Sequence, residues 1–189
     1  MKAPKRVLAA GLCTLTASGT MLAALIAAPA ANANSATTAT ASARAPFTTK
    51  LMVNHSGKCL DVKDASTADL ASVQQWTCYN APGNQTFIFT AVGDSLNDGY
   101  YTIRASHSGK CLDVTQGSQA NGARVYQWHC NGQPNQEWKL VQRPNGYFSL
   151  VARHSGKCME VAGGSLANGA VVVQQTCASD RPWQEWKLL

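Results

Sequence analysis

The sequence predicts an all-β domain made of three similar repeats. Three observations support this prediction. The octapeptide HSGKCLDV at 55–62 returns at 107–114 and, in altered form, as HSGKCMEV at 154–161. Six cysteines form three pairs with one common spacing of 19 positions, namely Cys59/Cys78, Cys111/Cys130 and Cys158/Cys177. After residue 47 apolar residues alternate with a period of two, and no stretch shows the period of a helix.

The first 46 residues predict two segments that precede the domain. Residues 1–33 combine a basic start with an apolar run from Val7 to Ala30 and predict a secretory signal peptide that is cleaved before Asn34. A membrane anchor is the alternative, because the apolar run is long, but Thr, Ser and Gly residues interrupt it between 14 and 20. Residues 34–46 are rich in Ala, Thr and Ser and predict a flexible linker.

The domain is predicted over 47–189, with repeats at about 47–97, 98–145 and 146–189. Segments such as YTIRA at 101–105 and FSLVA at 148–152 predict strands, about four in each repeat. Asn-Gly pairs at 121–122 and 168–169 predict tight turns between strands. A repeat of this size is too small to fold alone, so we expect the three to pack around a pseudo-threefold axis and close the sheet.

The charge of the chain argues against nucleic acid as a partner. The formal net charge is +6, but residues 1–33 contain three of the basic residues, which leaves 13 Lys and Arg against 10 Asp and Glu. The remaining charges are scattered, whereas nucleic-acid binding domains cluster theirs on one face. With the signal peptide removed, we also expect no stable membrane insertion and a secreted, extracellular protein.

The equal spacing of the cysteine pairs predicts one disulfide in each repeat, although six cysteines allow 15 pairings. Export to an oxidising compartment would preserve such bonds. Each would stabilise the fold by about 3 kcal/mol. A His four residues before each first Cys raises zinc as an alternative, but the ligands are not clustered as zinc sites require. We expect no metal and no cofactor, and we expect the HSG segments to form turns.

Each repeat ends in the motif Gln-x-aromatic, at Gln85–Phe87, Gln136–Trp138 and Gln184–Trp186. Together with the Cys-Leu-Asp-Val segments and the cysteine pairs, these motifs resemble the ricin B-type lectins, and the resemblance covers about 47–189. It implies a β-trefoil that binds carbohydrate. It also implies that the three aromatic residues fill the core, where Phe87 replaces the Trp of the family.

The resemblance further implies a sugar site within one repeat. An aromatic ring stacks on the apolar face of the sugar, while a carboxylate and amides bind its hydroxyls. The matching positions in the first repeat are Asp61, Gln74, Trp76, Asn84 and Gln85, and those in the second are Asp113, Tyr126, Trp128, Asn135 and Gln136. Tyr126 departs from the Gln of the family, which indicates a different sugar or geometry. The alternatives are that the two Trp residues belong to the core and that the two Asp residues cap turns.

The third repeat departs further from the pattern. Glu160 replaces Asp, Val173 and Gln175 take the Gln and ring positions, and Trp183 takes the Asn position. We expect this repeat to be structural, with Trp183 as a stacking platform the alternative.

The sequence therefore predicts a monomeric lectin for galactose- or xylose-type sugars, with no enzyme activity. Glycoside hydrolysis needs two carboxylates about 5–10 Å apart, and the acids identified here lie one per repeat. No Gly-x-Ser-x-Gly or His-Glu-x-x-His motif occurs. A non-catalytic β-trefoil inhibitor or protein-binding module is the alternative, because one fold hosts many functions.

Overall fold

The computed structural model describes residues 44–80, 83–93 and 99–189, which form a β-trefoil with three disulfides. The predicted signal peptide and residues 34–43 of the predicted linker lie outside these described residues. Within them, no helix is long and apolar enough to span a bilayer.

Thirteen strands form in the described part of the chain. The first repeat contributes β1 (Phe47–Thr49), β2 (Leu51–Val53), β3 (Cys59–Val62), β4 (Val73–Trp76) and β5 (Phe87–Ala91). The second contributes β6 (Tyr100–Ala105), β7 (Cys111–Val114), β8 (Val125–Trp128) and β9 (Glu137–Gln142). The third contributes β10 (Phe148–Ala152), β11 (Cys158–Val161), β12 (Val172–Gln175) and β13 (Trp186–Leu188).

The count exceeds the predicted twelve because the first strand is split at Lys50. Its first half, β1, pairs with β5, and its second half, β2, pairs with β13. Antiparallel pairing runs in the order β1, β5, β6, β9, β10, β13 and β2. Because β1 and β2 are adjacent in the chain, this order closes the sheet into a barrel and removes its edges.

The other strands form three hairpins, β3–β4, β7–β8 and β11–β12. Isolated bridges join Ser72 to Tyr126, Gln74 to Val171 and Arg124 to Val173, so each hairpin contacts the other two. The three repeats therefore meet around the predicted pseudo-threefold axis. A 3-10 turn follows the first strand of each hairpin, at Lys63–Ala65, Thr115–Gly117 and Ala162–Gly164.

The aromatic residue of each Gln-x-aromatic motif is fully buried, as the sequence predicts, at Phe87, Trp138 and Trp186. The indole nitrogen of Trp138 donates to the Leu112 carbonyl at 3.2 Å, and that of Trp186 donates to the Met159 carbonyl at 3.2 Å. Each Trp thus joins the last strand of its repeat to the first strand of the hairpin. Phe87 occupies the corresponding position in the first repeat, and its ring has no N–H group that needs a hydrogen-bond acceptor.

Each repeat carries the predicted disulfide, at Cys59–Cys78, Cys111–Cys130 and Cys158–Cys177. The bond links the first residue of the hairpin to the second residue beyond its end. It therefore fixes the segment that leads from the hairpin to the Gln-x-aromatic motif.

The HSG segments form turns, as predicted, and they also join neighbouring repeats. In the first repeat, His55 Nε2 lies 2.9 Å from the Ser165 carbonyl, and Ser56 donates to Gln75 Oε1 at 2.8 Å. Gln75 Nε2 in turn donates to the Ser165 and Ala167 carbonyls at 2.7 and 2.8 Å. The second and third repeats repeat this arrangement through Ser108–Gln127 and Ser155–Gln174. Each repeat is thereby tied to the one before it.

Candidate functional site

A shallow cleft of about 200 Å³ lies on the first repeat, and we call it the first cleft. Its lining residues are Asp61, Asp64, Ala65, Gln74, Trp76, Tyr79 and Asn84. The Trp76 side chain ends β4 and is 40% exposed, so it is not a core residue. The cleft therefore combines an accessible ring with a carboxylate, Asp61, that is only 2% exposed.

Asp61 accepts four side-chain hydrogen bonds. Gln74 Nε2 donates to Oδ1 at 3.0 Å, from the residue directly opposite Asp61 in the β3–β4 hairpin. Oδ2 accepts from Asn84 Nδ2 at 3.1 Å and from Gln85 Nε2 at 3.0 Å. The Tyr79 hydroxyl lies 3.1 Å from the same oxygen. A carboxylate has about four lone-pair positions, so the protein itself uses most of the accepting capacity of Asp61.

Tyr79 lines the first cleft, although the sequence did not indicate it as a candidate. Its hydroxyl lies 2.9 Å from Asn84 Oδ1 as well as close to Asp61, so its single proton is shared between the two acceptors. Burial raises the pKa of the Tyr79 phenol, and the charge of Asp61 raises it further, although the bond with Asn84 opposes this. The signal in the sequence is its position directly after Cys78, which the disulfide holds beside the hairpin.

The second repeat carries a larger cleft of about 810 Å³, which we call the second cleft. Its lining residues are Leu70, Asp113, Thr115, Gln116, Gly117, Tyr126, Trp128, Asn131, Gln133 and Asn135. Trp128 is half-buried and packs beside His129, with ring centroids 5.1 Å apart. The Tyr126 hydroxyl accepts a hydrogen bond from Arg124 at 3.3 Å.

Asp113 is held more loosely than Asp61. Its Oδ2 accepts from Gln136 Nε2 at 2.8 Å, and the side chain is 7% exposed. Burial raises the pKa of the Asp113 carboxyl, while hydrogen bonds from Gln136 and Asn135 act in the opposite direction. Asn131 stands where the first repeat has Tyr79, and its side chain donates no hydrogen bond to Asp113 among those that the described residues make.

The glutamines of the Gln-x-aromatic motifs lie behind the carboxylates. Gln85 and Gln136 are fully buried. Gln85 donates to Asp61 and to the Thr77 carbonyl and accepts from the Tyr79 amide, and Gln136 makes the equivalent three bonds in the second repeat. Their amides are thus in position to orient the acids. Asn84 and Asn135 line the clefts and donate to the carbonyls of Val62 and Val114.

The third repeat has its acid paired within the protein. Glu160 is 3% exposed and accepts from Gln184 at 2.6 Å and from Arg181 at 3.3 Å, the latter a salt bridge. Trp183 packs against Gly164, where an added Cβ would lie 2.9 Å from the Trp183 ring. The ring therefore covers the 3-10 turn that, in the other two repeats, lines a cleft.

The side chains of the described residues contain no group of three or more His, Cys, Asp or Glu that could hold a metal ion. The chemistry that the two clefts can support is hydrogen bonding to a polar ligand at a carboxylate, together with stacking on a Trp ring.

Comparison with known proteins agrees with this geometry. The family model described as ricin-type β-trefoil lectin domain-like matches residues 38–128, 83–175 and 134–188. The chain belongs to this family. The three matches overlap, and each of the first two extends over more than one repeat of the lectin-like domain.

Two solved structures are similar to this lectin-like domain in both fold and sequence. One is a designed three-fold symmetric protein, ThreeFoil, with a TM-score of 0.70 and 44% identity, covering 75% of this chain and 97% of that one. The other is the exo-β-1,3-galactanase 1,3Gal43A from Clostridium thermocellum, with a TM-score of 0.69 and 35% identity, covering 75% of this chain and 30% of the galactanase.

A shorter match is to the clotting factor G alpha subunit of Tachypleus tridentatus, 41% identical over 54 residues. These residues are 29% of this chain and span 8% of that relative.

Proposed function

We propose that the protein is a secreted lectin that binds galactose- or xylose-type sugars through the first and second clefts. The single observation that carries the proposal is the pairing, in each cleft, of an accessible Trp ring with a buried carboxylate that hydrogen bonds hold in place. Trp76 and Asp61 line the first cleft, and Trp128 and Asp113 line the second. A sugar has an apolar C–H face for the ring and hydroxyl groups for the carboxylate.

The first cleft fixes its carboxylate before any ligand arrives. Gln74 and Gln85 hold Asp61 from opposite oxygens, so sugar binding has little side-chain entropy to remove at this position. The position most open to a sugar hydroxyl is the second lone pair of Oδ1, because Oδ2 has three donors around it. Asp64, on the 3-10 turn that lines the cleft, offers a further acceptor.

A galactose-type sugar is supported by the 35% identity with part of a protein named as an exo-β-1,3-galactanase. A xylose-type sugar is the second candidate, since it offers the ring the same apolar face. Both clefts are shallow and open, so a single sugar buries little surface and binds weakly. Two clefts on one domain favour a repeating glycan, which engages both at once.

We propose binding without catalysis. Asp61 accepts four hydrogen bonds and is arranged as an acceptor rather than as a proton donor to a leaving group. Among the described residues, the hydrogen-bond donors to Asp61 and Asp113 all come from the same repeat as the acid, so the two acids act in separate clefts. Three disulfides support secretion, because such bonds persist in oxidising compartments. We expect the protein to act as a monomer.

The test is calorimetric titration of the protein with galactose, lactose and soluble xylan. Trp76→Ala and Trp128→Ala each remove one ring, and the double variant removes both. Because Trp76 is exposed and Trp128 is half-buried, truncating them should disturb folding less than substitution of the buried carboxylates. Gln175→Ala is the matched control, since Gln175 occupies the same position in the third repeat.

We expect each Trp variant to lose about half of the binding sites and the double variant to lose all of them, with Gln175→Ala unchanged. Binding that is undiminished in the folded double variant would contradict the site assignment. Failure of the wild-type protein to bind any glycan of a broad panel would contradict the lectin function and favour a protein-binding role.

A further inference from the structure

Leu70 adopts a backbone conformation that favours glycine. Its φ is +64°, in the left-handed region that L-residues with a side chain seldom occupy. The corresponding positions of the other two repeats are both glycines, Gly122 with φ of +80° and Gly169 with φ of +82°. Leucine is therefore present in the first repeat at a position where the fold itself favours glycine.

The conformation at this position is imposed by the fold. The Leu70 amide donates to the Gln127 carbonyl at 3.0 Å. The Gly122 and Gly169 amides make the equivalent bonds to the Gln174 and Gln75 carbonyls, each at 2.9 Å. Because these bonds hold all three loops in the same way, the leucine side chain is not needed to form the turn.

The Leu70 side chain is directed toward the second cleft, which belongs to the next repeat. It lines that cleft together with Trp128 and Tyr126, and it is 58% exposed. The strained backbone conformation lowers stability, and an exposed leucine side chain gains little from burial to offset this cost. Such strain is most often found at sites of function.

We propose that Leu70 and Trp128 form an apolar subsite of the second cleft, which binds an apolar substituent on the sugar that Asp113 holds. The inference rests on the proposed lectin function and assigns a ligand class to one of its two sites: glycosides that carry an alkyl or aryl group. The volume of the second cleft, about 810 Å³ against about 200 Å³ for the first, leaves room for such a group.

The two clefts differ at this point because Gly169 stands beside Trp76 in the first cleft. A Cβ at Gly169 would lie 3.9 Å from the Trp76 ring and 3.8 Å from Gln74 Oε1, which is ordinary contact. A Cβ therefore fits there without a clash, and the φ of +82° would strain a leucine at Gly169 as it strains Leu70. At Gly122, next to the third repeat, no atom lies within 4 Å of an added Cβ.

The test compares phenyl with methyl β-galactoside, and phenyl with methyl β-xyloside, by calorimetry. The second cleft is measured alone in a Trp76→Ala background, with and without Leu70→Gly. We expect the phenyl glycoside to bind more tightly than the methyl glycoside. Leu70→Gly should weaken phenyl binding about fivefold and leave methyl binding nearly unchanged. Glycine suits the backbone at this position, so the thermal midpoint should not fall.

The reciprocal variant is Gly169→Leu in a Trp128→Ala background, which should give the first cleft a preference for phenyl glycosides. Gly122→Leu is the matched control, because it introduces the same strained, exposed leucine beside the third repeat. It should leave the ratio of phenyl to methyl glycoside affinity unchanged in both clefts. If methyl glycosides bind and Leu70→Gly leaves the phenyl-to-methyl ratio unchanged, this inference is wrong and the lectin function stands. If the wild-type protein binds none of the four glycosides, both are overturned.

Discussion

The first and second clefts occupy the same place in their repeats, but they differ in volume and in the hydrogen bonds that their carboxylates accept. In the first, four donors surround Asp61 and little space remains. In the second, Tyr126 and Asn131 replace two of these donors, and the cleft is about four times larger. The first acid is part of a closed hydrogen-bond network, whereas the second is buried with fewer partners and a raised pKa.

One scaffold therefore carries two clefts that share a set of residues but differ in the side chains around it. The carboxylate, the ring and the Gln behind them are common to both clefts, and they stand at corresponding positions of the two repeats. The differences lie in residues around this shared set, at Gln74 against Tyr126 and at Tyr79 against Asn131. These neighbours determine how much of the carboxylate is left for a ligand.

The largest difference between the clefts should appear in folding stability. Asp61→Ala removes the acceptor of four buried or half-buried donors, which should lower the free energy of unfolding by about 3–5 kcal/mol. Asp113→Ala should cost about 1–2 kcal/mol, because it leaves fewer donors without a partner. Urea unfolding of both variants with the disulfides intact measures the difference.

The control for this comparison is Glu160→Ala in the third repeat, which removes one acceptor from Arg181 and one from Gln184. Its loss in the free energy of unfolding should lie between those of Asp61→Ala and Asp113→Ala. Equal losses for Asp61→Ala and Asp113→Ala would show that the donors around Asp61 contribute no net stability.

The fold could be predicted from the sequence because its features recur in all three repeats. The common spacing of Cys59/Cys78 and its two counterparts gave the correct disulfides, and three Gln-x-aromatic motifs gave the buried aromatic residues. The break at Lys50 was not predicted, since only pairing with two different partner strands reveals it.

Contacts between repeats could not be predicted, because spacing within a repeat says nothing about its neighbours. The HSG segment indicated a turn, but not that His55 reaches the Ser165 carbonyl of another repeat. For the same reason Leu70 was not recognised, since it belongs to the first repeat and lines the cleft of the second. Tyr79 was missed because its repeat counterparts, Asn131 and Ala178, share no chemistry with it.

The next largest effect should be a pH dependence of ligand binding at the second cleft. A sugar hydroxyl needs the ionised Asp113 as its acceptor, and burial raises the pKa of this carboxyl above the ordinary value of about 4. Binding in the Trp76→Ala background should therefore weaken as the pH falls through this raised pKa, by up to about tenfold per pH unit below it.

Folding stability should respond in the opposite direction. A carboxyl whose pKa is raised in the folded state stabilises the fold below its unfolded pKa, and this contribution is lost as the pH rises through the folded pKa. Asp113→Asn should abolish the contribution of this position to the pH dependence of ligand binding and to that of folding stability. A pH-independent affinity in the Trp76→Ala background would show that Asp113 is not the acceptor.

A smaller effect is expected from the Tyr79 hydroxyl. Tyr79→Phe removes a bond shared between Asp61 and Asn84 and should lower the free energy of unfolding by about 1 kcal/mol. The matched variant in the second cleft is Tyr126→Phe. Among the described residues, the Tyr126 hydroxyl accepts a single long bond, from the exposed Arg124 at 3.3 Å. The urea midpoint of Tyr79→Phe should be lower than that of Tyr126→Phe. The reverse order would show that the Tyr79 hydroxyl does not stabilise the Asp61 carboxylate.

The smallest effect should come from Asp69, which precedes Leu70. Its carboxylate accepts from Lys110 at 2.7 Å and from the His129 amide at 3.0 Å, and Lys110 and then His129 lower its pKa. Asparagine stands at the corresponding positions of the other repeats and accepts the same backbone bond from Thr176 and Thr77. Asp69→Asn should therefore leave the urea midpoint at neutral pH nearly unchanged, since exposed ion pairs contribute little.

The lowered pKa of Asp69 means that its contribution is present above the unfolded pKa and is lost as the pH falls. The urea midpoints of the wild type and Asp69→Asn should thus become equal at acidic pH. If Asp69→Asn instead weakens phenyl glycoside binding as strongly as Leu70→Gly does, then the ion pair with Lys110, rather than the backbone bond from Leu70 to Gln127, positions the apolar side of the second cleft.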